Sequence, residues 1–273
     1  MSMSELSSLL ELLQDRDSRT LEIVRSRLYE LGWPAIAYCI RNVGRGIPLR
    51  ERDRVRRIVC DTSSVYAVRQ LEELLKEESG TLYLPEALYF LTRIMDPELT
   101  PERFDSYFEP MGNELMCELR DTMTAVEKVE MLNYLFFERF GFTLNSTEPD
   151  GYETVVLIPD VIEERRAGVV GISMVYFLLA GYAGLPVYPI FPKMPGYYVA
   201  YFDRGESLFS MDMTCRGRIS DPVPRRHWRN PEKTGKDSTI LYLYAAAMRY
   251  FGMDAPSCLE ERLLDQVLDR VKI

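Results

Sequence analysis

Apolar residues at helical spacing dominate the first 140 positions. Leu6, Leu9, Leu10 and Leu13 fall on one face, Asp15 to Ser18 breaks the pattern, and Leu21, Val24, Leu28 and Leu31 resume it until Gly32. Pro34 then opens a segment carrying Ala35, Ile36, Tyr38 and Ile40. Recurrence at every third or fourth position gives each segment one apolar stripe, and glycine just past the stripe is a common helix stop. Residues 4–76 therefore read as short packed helices.

The stretch LLELLQDRDSRTLEIVRSRLYELGWPAIAYCI resembles a single HEAT-like repeat. One such unit cannot bury its own apolar face, so it must lean on the next segment of the chain. The reading is an all-α cap over residues 1–78, packed on a main domain over 79–273.

Between about 82 and 140 the punctuation predicts three more helices. Pro85-Glu86 starts the first and Asp96-Pro97 ends it. Thr100 before Pro101 is an N-cap with proline at the first helical position, and Thr124 with Glu127 makes a capping box. Val129, Leu132, Leu135, Phe136 and Phe140 carry the third helix to Gly141. Asn145 to Gly151 is a polar loop, and an apolar segment from Val155 to Val161 runs into the charged residues Glu163 to Arg166.

The pattern then changes. Gly168 to Ala183 is a largely apolar helix stopped by Gly184, and Val187 to Ile190 is a strand leading into a proline-rich connection. Tyr198, Ala200 and Phe202 alternate with Tyr197, Val199 and Tyr201, the period of two of a strand. A second strand follows the turn at Asp203 to Glu206 and ends on Asp212. Residues 214–236 lack periodicity and read as a long surface loop before helices at about 237–252 and 256–271. Helices, then a helix followed by antiparallel strands, then helices define an α+β fold with a long central helix packed on a small sheet.

Composition narrows the chemistry. The chain has 273 residues, 47% hydrophobic, enough for a sizeable core. A net charge of −9 disfavours nucleic acid and anionic membrane surfaces, which both bind through cationic contacts. The basic run at 50–57 falls at helical spacing and reads as a solvated face. The longest apolar stretch, 168–187, is interrupted by Gly171, Gly181, Gly184 and Pro186 and reads as helix plus strand, not as a membrane span. The N-terminus lacks the basic, apolar layout of a signal peptide, so a cytoplasmic protein is expected.

Cys39, Cys60, Cys117, Cys215 and Cys258 lie far apart, without metal-ligand spacing. All but Cys215 lie in helical or apolar surroundings and read as core thiols. No glycine-rich phosphate loop is present, and neither a metal nor a cofactor is expected. His227 is the single histidine, so general acid–base catalysis has few candidates.

Three features carry a family resemblance: the LNxxxFxxxGF pattern at 132–142, the helix ending in AGLPV at 183–187, and the proline-led aromatic strand after Pro195. In that order they make the chain similar to the bacterial SirB-type branch of the transglutaminase-like superfamily, which shares the papain-type cysteine-protease fold. The resemblance spans roughly residues 1–215. It implies a nucleophilic cysteine at the start of the core helix, a histidine on the first following strand and an Asp or Asn on the next. Those positions fall at Val169, Tyr197 and Asp212.

Valine has nothing to deprotonate, and a tyrosine with an ordinary pKa near 10 is a poor base at pH 7. The expectation is a degenerate triad on a retained fold, with a protein or peptide partner in the former substrate cleft. Val155, Tyr188, Met194 and Tyr198 would line that cleft. Asp212 alone reads as a hydrogen-bonded strand-end acid, and Tyr197 could pair with it across the hairpin. The alternative is a thiol-dependent hydrolase or acyltransferase with relocated residues, Cys215 and His227, which would need to be in contact.

Overall fold

A computed structural model describes residues 2–76, 84–145, 157–190, 198–203, 208–220, 244–246 and 258–271. The chain is mostly helical, with two small sheets. Four helices come first: α1 (Met3–Leu12), α2 (Ser18–Leu31), α3 (Trp33–Gly46) and α4 (Leu49–Lys76). Asp17 caps α2 through its carboxylate, and Gly32, in the left-handed region at φ 73°, ends α2 and opens α3. The stripes of α1 to α3 meet the first part of α4 in one core, built on Leu13, Leu28, Ile36 and Val59.

α4 departs from the expected run of short helices. Its 28 residues pass through Asp61-Thr-Ser-Ser64, a stretch that reads as a breaker. The helix survives because the buried hydroxyls are occupied. Thr62 donates to Ile58 O, Ser63 to Pro97 O at 2.7 Å and Ser64 to Ile94 O at 3.0 Å. Beyond this polar belt, Ala67, Val68 and Leu71 join the second and larger core. One helix thus feeds both cores. The basic run keeps its solvated role, Arg54 pairing with Glu51 and Arg56 with Glu98.

α5 (Leu84–Met95), α6 (Pro101–Glu118) and α7 (Ala125–Asn133) follow the punctuation. Thr100 caps α6, and the Thr124–Glu127 capping box is complete in both directions. α7 continues as a wider, π-helical turn over Tyr134–Arg139. A two-residue strand, β1 (Thr143–Leu144), pairs in parallel with β2 (Arg166–Ala167), and α8 (Ile158–Glu164) precedes β2.

α9 (Val169–Tyr182) is the centre of the second core. Every residue from Val170 to Ala180 is buried, as expected for a helix apolar all round. α8, β1, β2, α6 and the strand β3 (Val187–Ile190) pack on it. The main sheet has the antiparallel order β3-β4-β5-β6, with β4 at Tyr198–Phe202, β5 at Leu208–Asp212 and β6 at Arg218–Ser220. Pro189 falls in an edge strand, where a missing N–H is tolerated. β6 corrects the expected loop over 214–236: a short turn returns the chain and pairs Arg218 with Asp212. The last helix, α10 (Cys258–Arg270), packs on α4 and α5. Of the expected helix at 237–252, only 244–246 lies among the described residues, and it is helical. No described helix is long and apolar enough to cross a membrane.

Candidate functional site

Val169 is the first residue of α9, after Gly168, whose extended backbone brings no capping side chain. A thiol here would lie at the positive end of the helix dipole, where thiolates are stabilised. The valine side chain offers no ionisable atom and packs at the edge of the large core.

Asp212 ends β5. Its Oδ1 accepts from the Thr214 backbone N–H at 2.9 Å and from the Thr214 hydroxyl at 2.6 Å. Its carbonyl accepts from Gly217 N–H at 2.9 Å. The acid therefore caps the short 3-10 turn Met213–Cys215, the strand-end role expected of it. The register sets Asp212 opposite Tyr198; the expected pairing with Tyr197 lies outside the described residues.

Tyr197 itself lies outside the described residues, as do Val155, Met194 and His227. The backbones of Tyr188 and Tyr198 belong to β3 and β4, but their side chains are outside what is described. Cys215 is exposed at the end of the 3-10 turn, its Sγ 3.9 Å from the Thr214 hydroxyl. Burial pushes the Cys39 thiol up to about 12, and mainly burial pushes Cys60 up to about 11. Cys117, expected in the core, is exposed, because it faces outward near the end of α6.

What the sequence did not mark is the clamp that holds the turn after Asp212. Tyr176, seven positions after Val169 and so on the same side of α9, is fully buried. Its hydroxyl donates to Asn133 Oδ1 at 2.8 Å and lies 3.8 Å from Met211 Sδ on β5. Burial pushes the phenol well above its ordinary range, so it stays neutral. Asn133 Nδ2 in turn donates to Gly217 O at 2.8 Å. Gly217 has φ +70°, and a Cβ there would run into the Asn133 amide. Arg216, also left-handed at φ 56°, donates from Nη2 to Phe137 O at 3.0 Å and pairs with Glu138.

The LNxxxFxxxGF pattern thereby acquires a physical meaning. Asn133 and the Phe137 carbonyl bolt the hairpin turn to the end of α7. Gly141, at φ +75°, lets the chain reverse, so that Phe142 stacks on Phe136 at 4.3 Å while Phe136 meets the Tyr176 ring edge-on at 5.2 Å. The π-helical turn lies in the middle of these contacts, as such turns often do at functional sites. Among the described residues, no group of three His, Cys, Asp or Glu side chains could hold a metal.

A buried central helix, an antiparallel sheet behind it and an acid at a strand end make an α+β core compatible with a transglutaminase-like domain. The comparisons agree: the sequence model described as "Transglutaminase-like superfamily" matches residues 102–245. That match spans just over half of the chain and includes Val169, Tyr197 and Asp212, so the chain belongs to the transglutaminase-like superfamily. Neither a curated protein nor a solved structure matches it.

Proposed function

We propose that the chain is a catalytically degenerate member of the superfamily, of the SirB-type branch, that acts by binding a protein or peptide segment in its former substrate cleft. The observation carrying this reading is the valine at the first position of α9, where the family's chemistry needs a thiol. Two further observations support it. The sequence from Val169 to Tyr182 contains no cysteine, and the Asp212 carboxylate is already used by Thr214. In this reading α1 to α3 and the start of α4 form a HEAT-like cap, and the protein works in the cytoplasm.

The test is turnover of peptide-amide, isopeptide and thioester substrates by the full chain. No turnover above buffer is expected. Turnover lost in Asp212→Asn or Tyr197→Phe would overturn the reading. Turnover lost in Cys215→Ala and His227→Ala would establish the relocated thiol enzyme instead.

A further inference from the structure

Arg93, on α5, is the largest fully buried side chain of the described residues. Its guanidinium stacks on the Trp33 ring at 3.8 Å, and Nη2 donates to the Ser63 hydroxyl. Stacking covers a face of the cation and leaves its in-plane donors available. Nε and Nη1 make no hydrogen bond, and no carboxylate lies in ion-pair contact with Arg93 among the described residues. A buried cation with no carboxylate in direct contact is costly for a fold to hold. Burial opposes the charge and prevails, while the Tyr89 hydroxyl, as a neighbour and a hydrogen-bonding group, the Tyr66 hydroxyl and the Asp96 carboxylate favour it.

A cavity of about 300 Å³ adjoins this group, between the cap and the main domain. Trp33 and Tyr66 wall it from the cap side, Tyr89, Phe90 and Phe104 from the domain side, and Arg93 lines it. Its size suits roughly ten atoms of water size, at about 30 Å³ each. Two exposed carboxylates, Glu86 and Asp105, also line it. They disfavour a dianion such as phosphate more strongly than a singly charged group.

We propose that this cavity is a binding site for a small monocarboxylate with an apolar body, its carboxylate accepting from Arg93 and its body lying among the aromatic rings. The site is separate from the Val169–Asp212 region and does not depend on the loss of catalysis proposed for that region. Nη1, without a partner of its own, can donate to one carboxylate oxygen, and a charge-assisted hydrogen bond gains strength away from bulk water. The occupant would join α3 and α4 of the cap to α5 and α6 of the domain.

Trp33 provides the reporter. The chain has two tryptophans, so Trp228→Phe leaves Trp33 alone to emit. In this background phenylacetate is titrated, with phenylacetamide as its neutral counterpart and inorganic phosphate as the dianion. A saturable change with phenylacetate is expected, with the amide and phosphate weaker by about tenfold or more, the worth of a charged hydrogen bond. Arg93→Met should abolish the response. Should that variant not fold, Glu86→Gln, a surface change, should tighten phenylacetate by about two- to fivefold. No saturable response in either the Trp228→Phe protein or its Glu86→Gln derivative would overturn the proposal. So would equal binding of phenylacetate and its amide.

Discussion

Replacing Asn133 by leucine removes the clamp between α9 and the hairpin turn while keeping the branching and the number of side-chain heavy atoms. Two hydrogen bonds of 2.8 Å are lost, one from the Tyr176 hydroxyl and one to the Gly217 carbonyl. Met211 Sδ, at 3.8 Å, is then the hydroxyl's remaining partner, and sulfur is a weak acceptor. Leaving a buried hydroxyl unsatisfied costs about 1–3 kcal/mol, and losing the donor to Gly217 about 0.5–1.5 more, so Asn133→Leu should destabilise by about 2–4 kcal/mol. Tyr176→Phe alone should cost about 1 kcal/mol, because the half-buried Asn133 can turn to water. With both changes the orphan hydroxyl is gone, and the second substitution should be neutral or stabilising. The assay is a double-mutant cycle by urea unfolding on the four proteins, with a coupling of about 1–2 kcal/mol expected. If the two costs add to within about 0.5 kcal/mol, the clamp reasoning is refuted.

Gly217→Ala should cost about 2–4 kcal/mol from left-handed backbone strain and the clash with Asn133, and Asn133→Ala should recover part of it, read by the same unfolding assay. Burial, partly offset by Arg103, raises the Asp96 carboxyl above its ordinary value. The folded state therefore holds that proton more tightly than the unfolded chain, and the benefit is lost as pH rises through the folded pKa. Asp96→Asn should stabilise the protein at pH 7, and the gain should shrink as pH falls through the carboxylate range; unfolding at pH 7 and pH 4 checks the sign. With a thiol reagent at pH 8, native Cys215 and Cys117 should react rapidly, whereas Cys39, with its thiol at about 12, should react only on unfolding. Mass mapping of the labelled peptides reads that order.

Elements fixed by neighbours in sequence were legible before the structure. Thr100, Thr124, Gly32 and Gly184 mark helix ends because caps and stops act within four residues. The continuous apolar run of α9 could only be a central helix, and the alternation over 198–202 could only be a strand. What was missed depends on distance along the chain. Asn133 meets Gly217 across 84 positions, and Arg93 meets Ser63 across 30, so neither side chain advertises its partner. β6 is three residues long with a charged first member, and only pairing to β5 makes it a strand. The long α4 was hidden by its hydroxyl-rich middle, whose partners lie in and beyond α5. Of the site, the helix start at Val169 and the strand-end acid Asp212 were legible, whereas the register that sets Asp212 opposite Tyr198 was not, since residues 198–202 are apolar on both faces and the pattern does not mark which one faces the core.

Intact-mass spectrometry after exposure to an acyl thioester tests the loss of covalent chemistry most directly, run on the native sequence beside a Val169→Cys/Tyr197→His variant. The native chain should take up acyl groups at its exposed thiols, Cys117 and Cys215, no faster than the urea-unfolded chain does, and the restored variant should in addition gain one acyl group at residue 169. Acylation of the native chain faster than of the unfolded chain would contradict the account.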